Sequence, residues 1–96
     1  MMSSAMGAMV SVVAVGIDDF DIELKKQMRA RIQCTVIEKY GYLLLSDEMD
    51  KLYQIIDECR GDLIDMVTKY YDDEFGLNVK VDLGSADIVN IYLNRV

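Results

Sequence analysis

The chain switches between two rhythms of apolar residues. VSVVAVGI, from Val10 to Ile17, is β-branched, has strand length and shows no polar face, so it predicts a strand covered on both sides. From Asp18 the rhythm changes. DDFDIELKKQMRA sets acids where a first helical turn would lie and Lys25, Lys26 and Arg29 later, the order a helix dipole favours. Phe20, Leu24 and Met28 fall four apart on its inner side. The next stretch, RIQCTVI (Arg31 to Ile37), admits two patterns. Ile32, Val36 and Tyr40 continue the four-residue spacing, whereas polar Arg31, Gln33 and Thr35 alternate with apolar Ile32, Cys34 and Val36. The alternation, with EKYG as a turn and YLLLS as a second extended run, favours a hairpin.

Ser46 then offers an N-cap, with Asp47 and Glu48 in a first turn. Met49, Leu52, Ile56, Cys59, Leu63, Met66 and Tyr70 recur at spacings of three and four, the clearest helix in the chain. Gly76 is placed for a left-handed C-cap and Leu77 for the contact beyond it. LNVKVDL alternates, GSAD reads as a turn, and IVNIYLN reads as a last strand.

The predicted order is therefore strand, helix, strand, strand, helix, strand, strand. That order gives an α+β fold: a ferredoxin-like (split βαβ) sheet with two helices on one face and an extra C-terminal strand. Residues 1–8 read as a flexible tail and 9–96 as a single α+β domain. One feature strains this scheme. A continuous helix from Asp47 to Phe75 would span about 43 Å at ~1.5 Å per residue, longer than so small a domain is wide. Either Gly61 breaks it or a partner chain covers the overhang, which makes a homodimer the expectation.

Composition narrows the field. The chain has 96 residues, of which 52% are hydrophobic, enough for a real core and against disorder. No run of apolar residues is long enough to span a membrane. The opening MMSSAMGAMVSVVAVGI has no basic residue before its apolar run and meets acids at once, so it does not read as a signal peptide. A cytoplasmic protein is expected. Cys34 and Cys59 are too few for a disulfide framework and read as two reduced interior thiols.

Charge is the most informative property. The net charge is −7, and residues 47–76 carry all of it, with ten acids against Lys51, Arg60 and Lys69. On a helical wheel Asp47, Asp50, Asp57, Glu58, Asp65 and Asp72 share an arc of about 100° opposite the apolar stripe. They would form a carboxylate ridge, flanked by Tyr53 and Tyr71. Unbalanced like charge lowers stability and calls for a basic counterpart. The ridge could imitate a phosphate backbone before a nucleic-acid-binding protein.

Other chemistries are poorly represented. There is no histidine, which removes the commonest general base and any Cys/His zinc site. DDFDIE and Asp72-Asp73-Glu74 lack the glycine and ligand spacing of a calcium loop, so no metal, cofactor or catalytic residue is assigned. Lys39-Tyr40-Gly41-Tyr42-Leu43 resembles the aromatic signature of RNA-recognition domains. It lacks the first glycine and the last ring, and an acidic chain neutralises phosphates poorly. The same residues resemble, over a short stretch, a hairpin of the stalk subunit of archaeal and eukaryotic RNA polymerases; the long helix that follows departs from it.

The expected function is that of a small acidic, non-enzymatic regulator or inhibitor that binds a basic, nucleic-acid-binding protein through its carboxylate helix, without touching nucleic acid or membrane itself. Two alternatives are a ferredoxin-like homodimer binding a small ligand near Asn78, Asn90 and Asn94, and an RNA-recognition-like, nucleic-acid-associated subunit.

Overall fold

The computed structural model of the protein describes residues 12–96. The tail at 1–8 and the start of the first predicted strand lie outside these residues. Helix α1 (Ile22–Tyr40) is a single helix of 19 residues running straight through RIQCTVI. Asp21 caps it, its Oδ1 accepting the Leu24 N–H at 2.7 Å. Gly41, at φ 84°, closes it by donating its N–H to the Ile37 carbonyl. The four-residue spacing thus prevails over the alternation. Leu24, Met28, Ile32 and Val36 are all fully buried, while β-branched Thr35 fits the helix by bonding its hydroxyl to the Arg31 carbonyl at 3.2 Å. Cys34 is exposed rather than interior; only Cys59 is buried. The expected hairpin does not form. Residues 43–45 belong to neither helix nor strand, with Leu44 buried between exposed Leu43 and Leu45.

The predicted long helix divides into three. A 3-10 turn (Ser46–Glu48) leads into α2 (Met49–Tyr53), and α3 (Ile56–Phe75) follows. The turn is capped at Leu45, whose N–H donates to Glu48 Oε1 at 3.0 Å, and not by Ser46. The break falls at Gln54–Ile55. There Gln54 N–H bonds the Lys51 carbonyl and Ile55 N–H the Leu52 carbonyl, i→i−3 contacts that tighten and end the turn. Gly61 sits inside α3 without interrupting it. At 20 residues α3 is about 30 Å long, shorter than the continuous helix that the sequence predicts. The buried stripe of α3 runs Ile56, Cys59, Leu63, Val67, Tyr71. It follows the i+4 row beyond Leu63, which leaves Met66 and Tyr70 half-buried. Gly76 is the left-handed cap that the sequence predicts, at φ 64°, with its N–H on the Asp72 carbonyl at 2.9 Å.

β1 (Val13–Val15) pairs in parallel with β2 (Val79–Val81), Val13 beside Val79 and Val15 beside Val81. Among the described residues these are the only strands. IVNIYLN forms a helix instead, α4 (Ser85–Tyr92). Its apolar residues do not alternate: Ile88, Val89, Ile91 and Tyr92 are all buried, a helical stripe. GSAD is a helix start, with the Gly84 N–H donated to Asp87 Oδ2 at 2.9 Å. The ferredoxin-like α+β sheet with an extra strand is therefore overturned. The described residues are mostly helical, with four α-helices and one short parallel ribbon.

Helix α1 packs on α3 and α4, while β2 lies on α3. Two arginines fasten α4. Arg60 donates to the Leu83 carbonyl at 3.2 Å and to Ser85 Oγ at 2.5 Å, and Arg29 donates to the Ile91 carbonyl at 3.1 Å and to Asn94 Oδ1 at 2.5 Å. The sheet–helix layer in which a ferredoxin-like ligand would lie is absent. Asn78 precedes β2 whereas Asn90 lies in α4, so the three asparagines share no pair of strands.

Two glycines test this architecture against the sequence-based expectation. A Cβ at Gly61 meets nothing within 4 Å among the described residues, whereas Gly76 needs its positive φ. Gly61→Ala should stabilise by about 0.5–1 kcal/mol and Gly76→Ala should destabilise by a similar amount, both read from urea unfolding. A destabilised Gly61→Ala would mean that the helix does break there.

Candidate interaction surface

All six acids of the predicted ridge are exposed, but they do not form one rod. Asp47 lies in the 3-10 turn and Asp50 in α2, on the far side of the break from Asp57, Glu58, Asp65 and Asp72 in α3. Within α3 the acids differ in their partners. Asp57 pairs with the Arg60 guanidinium, and Glu58 faces Lys39 of α1 at 3.9 Å. Asp62 meets Arg31 at 3.4 Å and Asp73 meets Lys69 at 2.8 Å. Asp65 and Asp72 have no ion-pair partner among the described residues. The bases of α1 thus neutralise the half of α3 nearer Gly61, and the excess charge collects toward the C-terminal half. Such exposed pairs add little stability; their effect here is on where the field remains negative.

The tyrosines are rearranged as well. Tyr53 is 52% exposed. Tyr71 is buried, donates its hydroxyl to the Asp19 carbonyl at 3.0 Å, and has its pKa raised by that burial. It is not a surface residue. Its neighbours take that place. Tyr70 donates its hydroxyl to Asp21, the cap of α1. That bond holds the phenol up at about 12 and holds the Asp21 carboxyl down, aided by the Leu24 N–H. Phe75 is 58% exposed, and its ring stands 6.2 Å from Tyr70 and 5.6 Å from Tyr71. The Tyr70 and Tyr71 rings meet edge to face at 5.7 Å.

The surface beside these rings is concave. One depression of about 420 Å³ lies between α1 and α3, lined by Glu23, Gln27, Tyr70 and Asp73, among others. A second of about 460 Å³ lies between Asp65, Thr68, Asp72, Leu77 and Asn78, and Lys69 borders both. Phe75, Tyr70 and the acids Asp21, Asp73 and Glu74 are the residues that sequence reasoning missed. Asp21 and Tyr70 stand 49 positions apart, so no local spacing links them; the DDE triplet beside Phe75 was the one visible signal.

The aromatic signature around Tyr40 does not make a stacking platform. It lies on no strand. Tyr40 donates to the Lys51 carbonyl at 2.8 Å, while the Tyr42 hydroxyl accepts from Lys51 Nζ at 2.8 Å and donates to Glu48 at 3.0 Å. That network holds the Glu48 carboxyl down, first through the Leu45 N–H, and the Lys51 ammonium up, first through Tyr42.

Among the described residues no group of three or more Cys, Asp or Glu side chains is placed to hold a metal, and no helix is long and apolar enough to cross a membrane. No protein-family model, curated protein or solved structure matches the chain.

The Asp21–Tyr70 bond sets a pH dependence. Asp21 titrates lower in the folded chain, so its contribution is complete above the unfolded pKa of about 4 and is lost as pH falls through the folded value. Tyr70 titrates higher, so its contribution is complete below pH ~10 and is lost as pH rises toward about 12. Tyr70→Phe should be less stable than the parent at pH 7, with the difference shrinking as pH falls below the ordinary carboxylate range. Thermal melts across pH would show it, and a difference constant with pH would mean that the bond does not couple.

Proposed function

We propose that this protein is a small binding module that regulates or inhibits a basic protein by presenting the carboxylates of α3 to it. The observation that carries this reading is the division of charge along α3. Glu58 and Asp62 are matched by cations of α1, whereas Asp65 and Asp72 are exposed, form no ion pair among the described residues and line one of the depressions. Exposed charge of one sign steers an oppositely charged partner and rejects a like-charged one.

The density of charge bears on what the partner is. Helix α3 carries seven acids and two bases in 20 residues, a net charge for every 6 Å or so of its length. Duplex DNA carries one for every ~1.7 Å. An ordinary basic protein segment fits that density better than a cleft shaped for a duplex, so imitation of nucleic acid is the less favoured form of this proposal. No catalytic role enters it. A reducing, cytoplasmic setting accords with exposed, unpaired Cys34.

The test is a pull-down from host lysate at low salt with a salt gradient for elution, run in parallel with Asp65→Asn/Asp72→Asn. The parent should retain a basic protein that elutes as ionic strength rises, and the double variant should lose it while melting no lower. Retention that ignores both salt and the double substitution would overturn the proposal.

A further inference from the structure

Three apolar side chains stand exposed where the start of α1 meets the end of α3. Ile22, the first residue of α1, is 78% exposed, Phe75, the last of α3, is 58% exposed, and Leu77 just beyond is 41% exposed. The Tyr70–Asp21 bond fastens these two helix ends together. Scattered apolar residues on a surface are ordinary; a cluster framed by polar residues marks an interface.

We infer that this apolar end is the anchor of the contact and that it takes a basic amphipathic segment of the partner, an inference that rests on the reading of α3 as a surface for basic proteins. The charge around it selects the occupant. Between Asp18 and Glu23 and between Asp72 and Glu74 there are seven acids, and Lys69 is already held by Asp73. Lys25 and Lys26 stand a turn further along α1 and still leave an excess of four acids; Lys80 and Asp82 offset each other. Asp19 is occupied by the Gly16 N–H and Asp21 by Tyr70, while Asp18, Glu23, Asp72 and Glu74 have no ion-pair partner among the described residues.

Helix α3 also ends with the wrong sign. Acids at a C-terminus oppose the helix dipole, and its last turn holds no basic residue. Cationic side chains from a partner would relieve that opposition. A second copy of this chain would not, because a two-fold contact at this end would set one acidic rim against another. The anchor is also prepared. Phe75 packs against Tyr70 and Tyr71, whose hydroxyls are tied to Asp21 and to the Asp19 carbonyl, so little side-chain freedom is left to lose on binding. The depression lined by Glu23, Tyr70, Asp73 and Glu74 would receive a basic side chain of the partner beside the Tyr70 ring.

The experiment uses the full chain and a fluorescent helical peptide with one leucine face and one lysine/arginine face. Controls are a scrambled peptide of the same composition and an amphipathic peptide with acids in place of the bases. The parent should bind the first peptide about tenfold tighter than the scrambled one and should not bind the acidic one. Phe75→Ala and, separately, Ile22→Ala should each weaken binding about tenfold, and Ile22, being so exposed, leaves the fold in place. Asp72→Asn/Glu74→Gln should weaken binding yet raise the melting temperature, opposite signs that a purely structural role would not give. If Asp65→Asn/Asp72→Asn weakens binding while Phe75→Ala and Ile22→Ala do not, the anchor is overturned and the basic-partner reading stands. If neither set matters, both fall. Concentration-dependent self-association of the parent, abolished by Ile22→Ala, would make the occupant a second copy and overturn the inference.

Discussion

The four-residue stripe Leu24, Met28, Ile32 and Val36 is the constraint on which the rest of the structure depends. All four are fully buried, and they commit nineteen residues to one helix long enough to serve two partners, α3 along one side and α4 along another. Burying one such side chain is worth about 1.5–3 kcal/mol, and four in a row outweigh the β-propensity of the residues between them. With that segment helical there is no third or fourth strand among the described residues, and the ribbon of Val13–Val15 and Val79–Val81 lies on the flank of α3. A two-stranded ribbon is marginal by itself. It serves here to tie the entry of α1 to the exit of α3.

Polar contacts then register what apolar burial leaves adjustable. Arg29 and Arg60 grip opposite ends of α4, Tyr92 donates to the Leu44 carbonyl at 2.6 Å, and Tyr70 and Tyr71 hold the segment that leads into α1. Nearly all join residues distant in sequence, and the acceptor is often a carbonyl that helix or strand bonding has left free. Half of the chain's ten bases are engaged in this work or in pairs with α3. The functional consequence is that negative charge remains in excess toward the C-terminal half of α3, where Lys69 is the one base against Asp72, Asp73 and Glu74. Charge bias in the sequence becomes a local field only through this bookkeeping of partners.

Local signals fared well where the physics is local. The segregation of acids into residues 47–76, the left-handed cap at Gly76 and the helical stripe through Leu63 all depend on neighbours within a few positions. Elsewhere the sequence was truly ambiguous. In RIQCTVI the alternation and the four-residue spacing share Ile32 and Val36, and only a buried surface along α1 could choose between them. IVNIYLN looks β-branched and strand-like, yet its apolar positions sit at 88, 89, 91 and 92, which one strand face cannot bury together.

The sequence by itself determined which segment carries the charge, that the chain has a core, and where α3 ends, because each follows from composition or from contacts within a turn. Only the tertiary structure decided that Glu58 and Asp62 are paired with α1 while Asp65 and Asp72 form no ion pair among the described residues, and that Tyr71 is buried while Phe75 is bare. Those outcomes depend on which face α1 presents to α3 and on a bond from Asp21 to Tyr70. Such pairings span tens of residues, and no periodicity along a chain encodes the distance between two helices that have yet to pack.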